Sequence, residues 1–106
     1  LAPAFVAAYD SGRALYVREQ RVRDADAALY SKRLEIARLE DRIARGAFQV
    51  ISETATPEER TQGVLDTKQA AERIGRLKAE IAELEKERAR YAQELDAYRA
   101  TVADVR

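Results

Sequence analysis

Two ladders of apolar residues run in succession through this chain, and no other feature limits its fold as much. In the first, Leu15, Val22, Leu29, Ile36, Ile43 and Val50 recur at every seventh position. In the second, Ile74, Ile81, Leu95 and Val102 do the same, with Arg88 as the one interruption. Three positions later, Leu77, Leu84, Tyr91, Tyr98 and Val105 form a companion row. An a row and a d row at that spacing lie on one stripe of an α-helix and form a seam along which two helices pack. The first ladder has Ala25 and Leu39 at d positions but Arg18 and Lys32 at others, which makes its seam the weaker. Long basic side chains at such positions bury their stems and lift the charge to water.

Between the ladders stands Thr56-Pro57-Glu58-Glu59. Thr56 suits an N-cap, Pro57 suits the first helical position, and Glu59 at the third completes a capping box. Glu58 and Glu59 also suit the positive end of a helix dipole. The spacing therefore predicts helix 1 over about 4–51, a turn over 52–56 and helix 2 over 57–104. Each helix would be about 70 Å long at the usual rise per residue. The a rows mirror about residue 55, which sets Ile36 opposite Ile74, Leu29 opposite Ile81, Val22 opposite Arg88 and Leu15 opposite Leu95. The expected fold is all-α: one antiparallel two-helix coiled-coil hairpin over residues 1–106, with a left-handed supercoil.

Departures from the repeat are where function is sought. Phe5, Tyr9, Gly12 and Tyr16 are spaced four, three and four apart, which makes one stripe on a helix. Leu1 and Val6 add apolar surface there. Gly12 either permits close approach of another backbone or marks a bend; Asp10-Ser11-Gly12 can also turn, starting the helix only at Arg13. Around Gly46 the register is expected to fail. Either the helix ends there on a glycine cap, or it continues with a local shift, which is the preferred reading. Phe48 and Ile51, with Val64 and Leu65, are expected to cluster and close the hairpin end. Arg88 in the seam reads as a snorkelling side chain near Asp26 or Glu19; the sharper alternative is a register-setting polar residue. Tyr30 and Leu34 lie outside the seam, adjacent on one face. That surplus apolar surface predicts self-association, and two hairpins together would form a four-helix bundle.

Composition agrees with this fold and excludes several functions. Charged residues make up 36% of the 106 and aromatic residues only 7%, the profile of a long helix rather than a compact globule. Net charge is zero with both signs spread along the chain, so no basic face for nucleic acid and no polybasic block for an anionic membrane is expected. Acid-first pairs such as Asp41 and Arg45, or Glu72 and Arg76, read as a solvated, ion-paired surface. There is no histidine and no cysteine, which removes most metal, haem and nucleophile–base constellations. The acidic residues have no sheltered concavity in which to shift their pKa values. No glycine-rich phosphate loop occurs. No apolar run approaches the roughly 18 residues of a membrane span. The chain is expected to be no enzyme and to bind no cofactor or metal. Its start at Leu1, with no capping residue before Pro3, suggests a cut end, so any targeting segment would have been removed.

Phe5-x-x-x-Tyr9-x-x-Gly12-Arg13-x-x-Tyr16 ahead of a charged helical hairpin resembles the C-terminal part of a family of uncharacterised bacterial lipoproteins, a domain of unknown function. In that family a region rich in Tyr-x-x-Gly repeats and cysteine precedes a Phe/Ala-Tyr-x-x-Gly stretch and a coiled coil. The specific part of the match covers residues 5–16, and the upstream Cys- and Gly-rich portion is not in this sequence. The resemblance implies a periplasmic domain tethered to a membrane by lipid; it supplies no activity and no catalytic residues. The functional expectation is a non-enzymatic structural or interaction module, a spacer or docking arm in the bacterial cell envelope. The alternative is a cytoplasmic secretion- or chaperone-associated hairpin that binds a protein client. Its partners would be a protein or a second copy of the chain. The candidate contact residues are Phe5, Tyr9, Gly12, Tyr16, Tyr30, Leu34, Phe48 and Ile51.

Overall fold

A heptad seam needs a continuous helix beneath it, and in the computed structural model both ladders have one. The structure describes residues 2–105; Leu1 and the side chain of Val105, both part of the expectations above, lie outside what is described. Helix α1 is Pro3–Ile51 and α2 is Pro57–Val105, each 49 residues long. The chain is a helical hairpin with no strand among the described residues. By its contacts it divides into a turn unit, Tyr30–Ala82, and a terminal unit, Leu1–Leu29 with Glu83–Arg106. In each unit a stretch of α1 runs antiparallel to a stretch of α2.

The helix ends follow from local chemistry. Pro3 opens α1, and the Ala2 carbonyl accepts from the amides of Phe5 at 3.0 Å and Val6 at 3.2 Å. At α2 the Glu59 amide donates to Thr56 Oγ1 at 3.1 Å. That bond satisfies one of the amides a helix start leaves unpaired. The reciprocal half of the capping box differs from expectation. The Glu59 carboxylate accepts from the Thr56 hydroxyl at 3.2 Å, so one hydroxyl both accepts and donates. The turn is held by Arg60, whose guanidinium donates to the Ser52 carbonyl at 3.3 Å. A cation there also suits the negative end of α1.

In the turn unit the preferred reading at Gly46 holds, a helix that continues to Ile51, and the alternative of a glycine cap falls. No glycine has a positive φ, and α1 passes straight through Gly46 without a cap. The register does not fail either. Gly46 stands seven residues after Leu39 and is buried, so it continues the d row. On α2 the rows likewise run back through Ala70 and Gly63 at d and Thr67 at a. Gly63 and Ala70 are buried and Thr67 is half-buried. The ladder continues on both sides toward the turn, but in small residues. A Cβ placed on Gly46 would lie 2.7 Å from Thr67 Oγ1 and 3.2 Å from the Gly63 carbonyl oxygen. One placed on Gly63 would lie 3.1 Å from the Gly46 carbonyl oxygen and 3.1 Å from Val50 Cγ2. A side chain at either position would have to push these neighbours aside.

The same contacts correct the pairing. Gly46 faces Thr67 and Gly63 faces Val50, so d meets a across the seam. Reversing one helix reverses the order of its a and d rows, so a does not face a. Pairing is then centred between Thr56 and Pro57 rather than at residue 55. By heptad steps Leu39 shares a layer with Ile74, and Ile36 with Leu77. Leu77 is fully buried and Ile74 and Ala70 are nearly so. The expected cluster at the hairpin end is absent. Phe48 is 71% exposed, Ile51 76% and Val64 58%. Because the helices close on glycine there, their large apolar neighbours are turned outward.

In the terminal unit Ala25, Leu29 and Leu95 are buried, with Leu15, Val22, Leu84 and Val102 half-buried. The helix through Asp10, Ser11 and Gly12 is unbroken, which removes the start at Arg13 as an alternative. Nothing lies within 4 Å of a Cβ placed on Gly12, so this glycine faces open space and no described part of the chain closes on it.

Candidate interaction surfaces

Ion pairs fasten α1 to α2 in both units and decide which faces stay free. In the turn unit Lys32 occupies a d position, and its Nζ donates to Glu80 at 2.9 Å. Glu35 accepts from Arg73 at 3.1 and 3.4 Å, a two-pronged contact. Arg42 reaches Asp66 at 3.6 Å. The hydrogen bond from Lys32, with the charges of Lys32, Arg73 and Arg76, holds the Glu80 carboxyl below its ordinary value of 4.5. The bond to Glu35 raises the Arg73 pKa above its already high value. These groups are solvent-accessible, so they fix register more than they stabilise the fold.

In the terminal unit Arg88 does what its position in the seam requires. Its guanidinium donates to the Asp26 carboxylate at 2.9 and 3.4 Å, and that bond raises its pKa. Glu19, the other expected acceptor, instead accompanies Arg23 at 3.6 Å and Arg99 at 3.5 Å. The seam tyrosines are also tied down. Tyr98 lies under the Arg18 guanidinium, 4.4 Å from ring centroid to Cζ, and its hydroxyl donates to the Ser11 carbonyl at 3.0 Å. Tyr91 donates to Glu87 at 2.6 Å and has Arg21 over its ring at 5.9 Å. Such cation–ring contacts carry the seam where aliphatic residues give way to Tyr.

The sequence-derived contact residues fall into two groups. In the terminal unit Phe5, Tyr9 and Tyr16 lie along one face of α1, each at least 60% exposed, with exposed Gly12 between them. Beside that stripe a shallow open groove of about 480 Å³ is lined by Ala8, Ser11, Gly12, Leu15, Tyr98 and Val102. In the turn unit Tyr30 and Leu34 are neighbours on α1, and Phe48 and Ile51 lie near its end. All four are exposed. The residues that sequence reasoning passed over are Gly46, Gly63, Thr67 and Ala70. The signal was present: each stands at a heptad step from a recognised seam residue.

Among the described residues no acidic cluster is placed to hold a metal ion, and no helix is long and apolar enough to cross a membrane. What the arrangement offers is apolar contact area on rigid helices. No protein-family model matches the chain, and neither does any curated protein or solved structure.

Proposed function

We propose that this chain is a non-enzymatic interaction module, a helical hairpin that holds a docking face on α1 at the outer side of its own seam. One observation carries the reading. The exposed large apolar residues of α1 lie away from the face that packs on α2. Phe5, Tyr9 and Tyr16 form a rigid aromatic stripe of the kind that dominates contact energy at protein interfaces. The seam leaves this stripe uncovered.

The setting we propose is the bacterial cell envelope, where the hairpin serves as a spacer or docking arm and associates with a second copy. Support for the envelope is the resemblance of residues 5–16 to the lipoprotein family. The cytoplasmic client-binding hairpin is the second reading, favoured by the exposed Phe48 and Ile51 near the turn. Photo-crosslinking from Tyr9 and Tyr16 in cells expressing the full-length gene product, with fractionation of the envelope, tests both. A discrete adduct in the envelope fraction is expected. Adducts formed in the cytosol, and from Phe48 rather than Tyr9, would select the second reading; no adduct from either end would sink the docking function.

A further inference from the structure

The outer face of α1 in the turn unit carries a second heptad seam. Tyr30, Ala37, Ala44 and Ile51 recur at every seventh position; Leu34, Asp41 and Phe48 recur likewise, four positions on. These intervals of four and three are those of an a/d stripe. Every one of these residues is exposed, Leu34 least of the large ones at 37% and Ile51 most at 76%, so no other described element packs over the stripe. Scattered apolar residues on a surface need no explanation, but a stripe held in register over three heptads does.

We infer that this stripe is covered by a second copy of the same chain, α1 against α1 in antiparallel orientation. The choice of partner comes from charge and size. The single polar residue in the stripe is Asp41, and Arg45 stands one turn further on, 2.8 Å from it, with both side chains well exposed at 60% and 81%. A two-fold axis near residues 42–43 brings Asp41 of each copy beside Arg45 of the other. The same axis sets Leu34 opposite Ile51 and Phe48 opposite Ala37, large against small. Asp41 then falls opposite Ala44. The patch is complementary to itself under a two-fold, as a closed dimer requires. A parallel pairing in register sets Asp41 against Asp41 in the seam and is disfavoured by like charge in a dehydrated contact.

This deepens the interaction-module reading, on which it rests, by naming the partner of one face. Sedimentation equilibrium of the intact chain, from about 1 μM to 1 mM, reads the association directly. The expected result is a dimer. Leu34→Glu and Phe48→Glu each weaken it by more than about tenfold, as loss of a central apolar anchor does. Both positions are exposed in the single chain, so helicity by circular dichroism stays unchanged. The decisive arm is charge exchange. Asp41→Arg alone and Arg45→Asp alone each self-repel and dimerise less than the wild type. Mixed one to one, they restore a dimer, because each now faces its opposite. A wild type that stays monomeric throughout overturns the proposal, as does a dimer indifferent to Leu34→Glu or a mixture no tighter than its components. A monomer that still crosslinks through Tyr9 leaves the docking function standing while this proposal falls.

Discussion

At the scale of single residues, the four glycines separate into two kinds. A methyl group added at Gly12 or Gly75 would meet nothing within 4 Å, whereas Gly46 and Gly63 are pressed against backbone. Helix propensity favours alanine over glycine by about 1 kcal/mol in every case. Gly75→Ala should therefore raise stability by about 0.5–1 kcal/mol. Gly46→Ala gains the same propensity but overpacks a site bounded by Thr67 Oγ1 and the Gly63 carbonyl, at about 1–3 kcal/mol. The net change lies between about zero and a 2 kcal/mol loss. Urea denaturation of the two variants decides it; equal gains would show that the close approach is not needed. Glu80 supplies the residue-scale pH dependence. Its folded pKa is lowered by Lys32, so its contribution is present above the ordinary carboxyl value of 4.5 and is lost as pH falls through the folded value. Glu80→Gln should be less stable than the wild type at about pH 7, with the difference shrinking as pH falls below 4.5 and through the folded value. A gap that stays constant across that range would remove the pair as its cause.

At the scale of elements, the helices themselves were legible because their signals are local and repeat. Thr56-Pro57 marks the start of α2, and the Ile74 and Leu77 rows fix the face it buries. The cap should matter accordingly: Thr56→Ala costs about 1 kcal/mol, while Thr56→Ser and Thr56→Asp restore most of it. Thermal melts of the three variants check this, and a Thr56→Ala chain melting like the wild type would deny the cap its role. What sequence reasoning missed lies between Leu39 and Ile74. A search for large apolar residues loses the seam where it passes through Gly46, Gly63, Thr67 and Ala70. Their heptad positions are readable, but that the partner helix comes close enough to bury them is a tertiary fact. Phe48 and Val64 misled for the complementary reason. Large apolar side chains near a turn suggest a closing cluster, yet the glycine contact that closes this one leaves them no room inside. Asp41 and Ala44 were equally readable as a second stripe, but only exposure shows that no other described element packs over it.

At the scale of the whole molecule, the hairpin and its proposed dimer should be separable by how stability responds to concentration. Seam burial belongs to one chain and is independent of it. Leu77 is fully buried in that seam, and Leu77→Ala removes about 2–5 kcal/mol at every concentration. Against a total of about 5–15 kcal/mol for an ordinary domain, that is a large fraction. The outer stripe of α1 adds stability only when a second chain is bound, so its contribution grows with protein concentration by mass action. The wild-type Tm is therefore expected to climb as the chain is concentrated. Leu34→Glu should melt at a fixed temperature that matches the wild type at high dilution. Leu77→Ala should melt lower throughout while keeping the wild-type slope. Calorimetry of the three across about a hundredfold range of concentration reads all of this at once. If Leu34→Glu instead lowers Tm equally at every dilution, the outer stripe is part of the folding core and the division between seam and docking face is wrong.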